Sequence, residues 1–219
     1  MLSNNAVMYL EAIILKDDRE TKQKLLASAK TEFMEKGYMQ ASLRNICKNA
    51  GVTTGALYFF FQDKEDLFAS LVDAPLEKLY ELMAKHYTDE IENLDMEEIK
   101  KMDFSEDINA SKQIVHYIYE CYDAFQLVLT KGQGSRFEQT IDKFVEITEK
   151  HYRVLADQMS GQMGCEKVDD YMIHWFSHMQ IDAFVHLITH EPSEKAALKH
   201  IESMVRYMIS GWLSMFCQP

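Results

Sequence analysis

The chain has 219 residues, of which 47% are hydrophobic and 26% charged, and these proportions exclude an intrinsically disordered protein. It contains only 3 Pro and 8 Gly, too few for the many turns of a β-sandwich or barrel, so composition favours an all-α fold. The net charge is −12, but residues 21–68 carry seven Lys and Arg against five Asp and Glu. A small, slightly basic segment therefore precedes a large acidic one.

No stretch approaches the roughly 18 unbroken apolar residues of a membrane span. The apolar segment 7–15 is interrupted by Glu11, follows no basic region and precedes no small-residue cleavage site, so we predict no secretion signal and no membrane partner. The cysteines are widely scattered, without a C-x-x-C pair, at Cys47, Cys121, Cys165 and Cys217. This spacing indicates reduced thiols in a cytoplasmic protein, with no metal and no cofactor.

Helical periodicity starts near Thr21 and continues to Gly37, which is placed to end the first helix in a left-handed conformation. Residues 1–20 form either an extension of this helix, a separate helix or a frayed arm. Ser42 is a candidate N-cap for a second helix that reaches about Ala50. After a Gly51 turn, a third short helix follows Thr53, and two short helices joined in this way predict a helix-turn-helix.

Asp63 is expected to cap a fourth helix that is kinked or interrupted at Pro75. Helical spacing then continues to the end of the chain, with no alternating pattern typical of strands. The later helices are predicted at 77–91, 109–130, 135–160, 168–190 and 193–216, with a short acidic piece at 96–102. We divide the chain into an N-terminal extension (1–20), a helix-turn-helix domain (21–68) and a C-terminal helical domain (69–219).

The stretch from Ser42 to Leu67 closely resembles the DNA-binding signature of TetR-family transcriptional regulators. The matching features are an apolar helix before Gly37, a hydroxyl at position 42 and the residues Ile46, Ala50-Gly51-Val52, Gly55, Leu57-Tyr58, Phe61 and Lys64-Glu65-Asp66-Leu67. The resemblance covers roughly residues 21–71. It implies a dimeric regulator, most often a repressor, that binds a double-stranded DNA operator and is released by a small molecule.

The physics of helix-turn-helix recognition agrees with this resemblance. A recognition helix brings its N-terminal residues to base edges in the major groove, and helix N-termini favour phosphate oxygens. Small residues permit close approach, and Thr methyls and hydroxyls can meet bases or phosphates. The candidate DNA-contacting residues are Ser42, Arg44, Thr53, Thr54, Gly55, Tyr58, Phe59 and Lys64.

Phe60 departs from the family pattern, in which His often occupies this position and is implied to contact the DNA backbone. Phe60 has no hydrogen to donate, so it either packs against apolar neighbours or leaves that contact unmade. The alternative to a DNA-binding regulator is a helical ligand-binding or protein-interaction dimer with a vestigial helix-turn-helix. An enzyme is not predicted, because the chain has no H-E-x-x-H motif, phosphate loop or nucleophile elbow.

The resemblance implies that the C-terminal helices hold a small-molecule effector and that the last two form the dimer. Aromatic and Met-rich walls suit an apolar or aromatic ligand. Candidate ligand-binding residues are His116, Tyr117, Cys121, Tyr122, Phe125, Phe137, Phe144, Tyr152, Trp175 and Met179. Candidate interface residues are Trp175, Phe176, Met179, Ala183, Leu187, Ile201, Val205, Ile209 and Trp212, which an intrachain core would explain equally.

Polar residues also recur at every fourth position of one terminal helix, at His174, His178, Asp182, His186 and His190. Neighbours spaced i, i+4 share a face and can bind one metal ion. Each step of four nevertheless overshoots a helical turn by about 40°, so the five residues wind around the helix. We therefore favour surface or interface histidines over a metal-dependent enzyme.

Overall fold

The computed structural model describes residues 4–94, 97 and 101–216, and in these ranges it contains helices and no strand. The described helices are α1 Asn4–Gln40, α2 Leu43–Ala50, α3 Thr54–Phe60, α4 Lys64–Glu92, α5 Ser105–Glu120, α6 Tyr122–Lys131, α7 Thr140–Met163, α8 Asp170–His190 and α9 Glu194–Leu213. The predicted all-α fold is confirmed. Among the described residues, no helix combines the length and the apolarity that a membrane crossing requires.

Helix α1 begins well before the predicted start at Thr21. The described part of the N-terminal extension, residues 4–20, is continuous with it, and residues 1–3 lie outside the described chain. Gly37 has the expected positive φ of 73°, but its ψ of 165° lies outside the predicted left-handed helical conformation, and Gly37 does not end the helix. One further helical turn follows this kink and ends at Gln40.

The helix-turn-helix forms from local capping signals. Ser42 accepts a hydrogen bond from the backbone N–H of Asn45, and Thr53 accepts one from that of Ala56. Gly51 ends α2 in the left-handed conformation, with a φ of 69°. Each of these features matches its sequence-based prediction, because short-range hydrogen bonds determine where these helices begin and end.

Of the two outcomes predicted at Pro75, a kink or an interruption, the interruption is wrong, since one helix runs from Lys64 to Glu92. Its start is as predicted, with the Asp63 carboxylate accepting the Asp66 backbone N–H at 2.8 Å. Proline removes one backbone donor from a helix interior. Buried apolar residues before and after Pro75, including Val72 and Leu76, offset that loss.

Two later helices also have boundaries that differ from those predicted by the apolar periodicity. The helix predicted over 109–130 is divided at Cys121 into α5 and α6, and no Gly or Pro marks this division. The helix predicted over 135–160 begins only at Thr140, and it continues through Gly161 to Met163. Gly164, with a φ of 65°, ends it in the left-handed conformation.

Contacts divide the chain into two compact units. One contains residues up to 74 together with 126–138, and the other contains 75–125 and 139 onward. The predicted division at 68/69 assigned 126–138 to the C-terminal domain. Within the first unit, however, Phe137 lies against Phe68 with ring centres 5.7 Å apart, and the backbone N–H of Arg136 donates to Glu65 at 3.1 Å.

Each unit has its own apolar core. In the first unit, fully buried residues from four helices meet, namely Leu25, Ala29, Phe33, Ile46, Leu57, Leu67 and Phe68. The core of the second unit includes Leu155, Met159, Phe176, Ile201, Val205 and Trp212. The first core holds α2 and α3 in place, and the second surrounds a cavity.

Candidate DNA interface and ligand cavity

Helix α3 exposes the face that a recognition helix needs. Thr53, Thr54 and Gly55 are exposed, and the Tyr58 and Phe59 side chains are 58% and 72% exposed. On the opposite side, Leu57 is fully buried, and Phe61, directly after the helix, is buried as well. The core therefore anchors α3 and leaves its N-terminal turn open to a partner.

The start of α2 is positioned by a buried carboxylate that the sequence analysis did not single out. Glu32 is 3% exposed, and it accepts hydrogen bonds from Lys36, the Ser42 backbone N–H and the Asn45 side chain at 2.8, 3.1 and 3.4 Å. Burial raises the pKa of the Glu32 carboxyl, but these hydrogen bonds outweigh it and lower the pKa below its usual value. Ser42 is half-buried beside it, and Arg44 is exposed on the first turn of α2.

Lys64, a predicted DNA contact, is engaged within the protein. Its ammonium group donates to the carbonyl oxygens of Tyr38, Met39 and Ala41 at 2.8, 3.2 and 3.4 Å. An ammonium group has three hydrogens, and three acceptors already surround it. Sequence spacing placed Lys64 correctly at the start of α4 but did not reveal these partners.

Phe60 packs against its neighbours instead of extending into solvent. It is half-buried, and its ring centre lies 4.9 Å from that of Phe59 in an edge-to-face arrangement. The ring of Phe61 follows at 6.4 Å. Of the two possibilities for this departure from the family pattern, the structure supports apolar packing.

The second unit contains a cavity of about 160 Å³ with one apolar and one acidic wall. Helices α7, α8 and α9 contribute the apolar wall, which includes Tyr152, Met159, Phe176 and Trp212. The opposite wall comes from α4, α5 and the residues just before α5, and its charged residues are Asp89, Glu90, Asp103, Glu106 and Asp107. No Lys or Arg is among the described residues that line this cavity.

One histidine, His86, lies close to two of these carboxylates. The Nε2 atom of His86 lies 3.9 Å from Glu90 and 4.0 Å from Asp107. Burial and the negative charges of Glu90 and Glu106 raise the pKa of Asp107 to about 7. Burial lowers the pKa of His86, although the Glu90 charge acts in the opposite direction. The i, i+4 spacing of His86 and Glu90 was the available sequence signal, but it does not reveal Asp107.

Of the ten predicted ligand-binding residues, only Tyr152 lines this cavity. His116 is exposed and bonded to Glu194 at 2.7 Å, while Tyr117 donates to the backbone oxygen of Pro75 at 3.2 Å. The rest occupy stacked, buried or surface positions away from the cavity: Cys121, Tyr122, Phe125, Phe137, Phe144, Trp175 and Met179. Aromatic content did not identify the residues that line the cavity, because most aromatic side chains in these helices pack against other side chains elsewhere.

Comparison with known proteins agrees with the geometry of the first unit. Residues 25–71 match the model for bacterial regulatory proteins of the tetR family. Residues 25–71 are therefore similar to the DNA-binding domain of TetR-family regulators. The match spans the C-terminal part of α1, all of α2 and α3 and the start of α4, so it covers the candidate DNA-contacting residues.

Two curated relatives show how far the similarity reaches along the chain. The HTH-type transcriptional repressor BepR of Brucella suis biovar 1 (strain 1330) is 45% identical over 53 residues, which cover 24% of this chain and 25% of that protein. The chain therefore matches only about a quarter of that relative's length. The HTH-type transcriptional repressor AcnR of Corynebacterium glutamicum is 28% identical over 168 residues, which cover 75% of this chain and 80% of that protein.

The fold of the whole chain is also found among solved structures. NalD, the secondary repressor of the MexAB-OprM multidrug efflux pump in Pseudomonas aeruginosa, superimposes with a TM-score of 0.54 at 17% identity. The superposition covers 90% of this chain and 97% of NalD. At this identity the superposition shows that the two chains share a fold.

The predicted interface residues of this chain fall into two groups. The structure buries Phe176, Leu187, Ile201, Val205 and Trp212 in the core of their own unit, so these five are unavailable to a partner, and their assignment to an interface is corrected. Trp175 is 47% exposed, and Met179, Ala183 and Ile209 are half-buried. Helical spacing alone did not separate the inward face from the outward one.

The histidine stripe of α8 forms no single site. His174 is bonded to Glu149 at 2.9 Å and lies edge-to-face with His178, with ring centres 4.6 Å apart. Farther along the helix, the rings of His186 and His190 stack at 3.9 Å. The stripe thus consists of local pairs, as its winding around the helix predicted.

Proposed function

We propose that this chain is a bacterial cytoplasmic transcriptional repressor that binds a palindromic DNA operator as a homodimer and is released by a small ligand. The observation that carries the proposal is the N-terminal turn of α3. It presents Thr53, Thr54 and Gly55 to solvent on a helix anchored by the buried Leu57. This is the geometry that allows a short helix to enter the major groove.

The chemistry of this turn suits direct contact with DNA. The exposed Thr54 offers a methyl group for thymine and a hydroxyl for a base or phosphate, while Gly55 allows the backbone to approach closely. Tyr58, one turn later, has an exposed hydroxyl for a phosphate. Arg44 adds a positive charge at the first turn of α2.

Two copies are needed to read a palindrome, with recognition helices about 34–36 Å apart. Exposed aromatic side chains on the last two helices support this dimer. Tyr171 and Trp175 lie one turn apart on α8, and Tyr207 is exposed on α9. Large exposed aromatic residues are enriched at protein interfaces because they bury much apolar area at little entropic cost.

Ligand release requires a cavity, and the second unit supplies one beside Tyr152 and Trp212. A ligand shifts the dimer away from DNA only by binding more tightly to the geometry that does not fit the operator. Repression, as opposed to activation, is supported by the relatives named as repressors, including BepR and AcnR.

The test is selection of binding sites from a random DNA pool at low and moderate salt, followed by affinity measurements on the enriched sequence. We expect an inverted repeat bound by the dimer. Thr54→Ala is expected to weaken binding by about 1–3 kcal/mol, the range for loss of a specific base contact. Thr54 is preferred to Thr53, because Thr53 also caps α3 and its removal destabilises the helix.

The matched control is Thr31→Ala, which removes the same atoms from an exposed position on α1. Its affinity for the selected DNA should equal that of the wild type. Absence of any enriched sequence at low salt contradicts the proposal and favours the ligand-binding dimer with a vestigial helix-turn-helix. Equal losses for Thr31→Ala and Thr54→Ala contradict the assignment of the α3 turn as the contact surface.

A further inference from the structure

The acidic wall of the cavity brings three different metal-ligating side chains together. One nitrogen of His86 and one carboxylate oxygen each of Glu90 and Asp107 all lie within 4.8 Å of one another. His86 and Glu90 are spaced i, i+4 on α4, so they share one face of that helix. Asp107 comes from the first turn of α5, and all three residues line the cavity.

This donor set selects a class of ion. One imidazole nitrogen with two carboxylates is a mixed nitrogen and oxygen site, which first-row divalent transition metals favour. Magnesium and calcium prefer oxygen ligands alone. Three protein ligands leave further coordination positions for water or a ligand, as in open metal sites.

The charge of the cavity wall favours a cation at this position. Glu90 and Asp107 each lie about 4 Å from the same His86 nitrogen, and Asp89, Asp103 and Glu106 add further carboxylates. Among the described lining residues, His86 is the one basic side chain beside these carboxylates, since none is Lys or Arg. A divalent cation bound by the three ligands would relieve this repulsion.

A second histidine, His151, forms a hydrogen bond with Glu90 but is not one of the three candidate metal ligands. The Nε2 atom of His151 lies 2.8 Å from the Glu90 carboxylate, and an ionised carboxylate can only accept, so this nitrogen donates. The buried His151 ring stacks on Tyr87 at 3.9 Å, and the Tyr87 hydroxyl is bonded to Thr148 at 2.9 Å. Metal-binding carboxylates are commonly oriented by such outer hydrogen bonds.

We propose that His86, Glu90 and Asp107 form a binding site for one divalent transition-metal ion, with His151 orienting Glu90 as a positioning residue. The site borders the ligand cavity, so a bound ion would add a Lewis-acidic group to a wall that is otherwise anionic. This inference concerns the second unit alone and does not depend on DNA binding.

The test is calorimetric titration of the full chain, free of any histidine tag and stripped with chelator, with Zn²⁺, Mn²⁺ or Mg²⁺. We expect one equivalent of Zn²⁺ or Mn²⁺ per chain and at least tenfold weaker binding of Mg²⁺. His86→Gln, Glu90→Gln and Asp107→Asn should each weaken transition-metal binding at least tenfold. His151→Gln should weaken it less than the loss of a direct ligand does.

The control variant is His174→Gln, which removes a different His–Glu pair, with Glu149, on the surface of the same unit. It should bind the ion as the wild type does. Thermal unfolding shows whether a variant that fails to bind metal is still folded. Asp107→Asn removes like-charge repulsion, so we expect its metal-free Tm to be higher than that of the wild type. Zn²⁺ should raise the Tm of the wild type but not that of Asp107→Asn. No ion binding by the wild type, or binding lost equally in His174→Gln, overturns the proposal.

Discussion

The ammonium group of Lys64 lies 2.8 Å from the carbonyl oxygen of Tyr38 and 4.5 Å from the centre of its ring. The first residue of α4 thereby binds the last turn of α1, where carbonyl groups have no helical donor of their own. A cation near the C-terminus of a helix also interacts favourably with the helix dipole. Lys64 therefore fixes the scaffold of the helix-turn-helix.

Replacing Lys64 with Met should destabilise the first unit by about 1.5–3 kcal/mol, the range for hydrogen bonds to a charged group. The carbonyls of Tyr38, Met39 and Ala41 lose a shared donor in this variant. Lys48→Met, at an exposed position in the last turn of α2, is the matched control and should change stability by less than about 0.5 kcal/mol. Urea unfolding measures both, and equal values for the two variants would disprove the structural role of Lys64.

The helix caps of this domain could be predicted from the sequence, whereas the partners of Lys64 could not. Ser42, Thr53 and Asp63 each act on a backbone group three residues away, so a local pattern predicts them. Lys64 acts on residues 23 to 26 positions earlier, a distance at which no local pattern carries information. Its location was predictable, and its partners were not.

Salt dependence should separate Arg44 from Lys64. Each phosphate contact contributes about 0.9 to the slope of log K against log salt concentration. Arg44 is exposed on α2, so Arg44→Gln should reduce that slope by about 1.8 per dimer, one contact from each copy. Lys64→Gln should leave the slope unchanged. Titrations of selected operator DNA at several salt concentrations give both values, and a larger reduction for Lys64→Gln would reverse this assignment.

The buried Glu32 carboxylate should make stability depend on pH in the acid range. Its hydrogen bonds lower its pKa in the folded state, despite the opposing effect of burial, so its contribution is complete above the ordinary value of 4.5. That contribution is lost as the pH falls through the lowered folded pKa of Glu32. At pH 7, Glu32→Gln should cost about 1–3 kcal/mol, and its difference from the wild type should shrink below pH 4.5.

Urea unfolding of the wild type and Glu32→Gln at several pH values between 7 and 3 measures this difference. Glu35→Gln, at an exposed position on the same helix, is the control and should show little difference at any pH. A constant gap between wild type and Glu32→Gln across the whole range would show that the ionised carboxylate is not the stabilising species.

The second unit was less predictable than the first for a physical reason. Tyr152 was predicted to line a cavity and does so, but nine other candidates lie elsewhere, since aromatic composition reports burial and not which helices meet. The acidic wall depends on Asp107 of α5 facing His86 of α4, a tertiary contact. A pattern on one helix reveals only the His86 and Glu90 half of that arrangement.

Exposure distinguishes two adjacent aromatic residues of α8. Trp175 is 47% exposed, whereas Phe176 lies in the core between Tyr152 and Trp212, with ring centres about 5.1 Å from each. Trp175→Ala should therefore weaken dimerisation at least tenfold and leave the monomer fold intact. Phe176→Ala should destabilise the chain by about 3–5 kcal/mol through the cavity it creates. Analytical ultracentrifugation and thermal unfolding separate these effects, and an unchanged dimer in Trp175→Ala would exclude this surface as the interface.

Gly134 provides a test of how closely the 132–138 segment approaches α1 within the first unit. Its φ is 83°, and a Cβ atom added there would lie 2.6 Å from Cγ of Met39. Gly51 has a similar φ of 69° but no atom within 4 Å of such a Cβ. Gly51→Ala should thus cost only the left-handed backbone penalty of about 1–2 kcal/mol, and Gly134→Ala should cost more.

A double variant identifies the source of that difference. Met39→Ala removes the side chain that the new Cβ would meet, so it should bring the cost of Gly134→Ala down to that of Gly51→Ala. The same Met39→Ala change should not alter the cost of Gly51→Ala, because no atom approaches that site. Urea unfolding of the single and double variants measures the coupling. Equal costs for the two glycine substitutions in the presence of Met39 would mean that the exposed Met39 side chain moves aside freely. The left-handed backbone conformation alone would then determine the cost of each substitution.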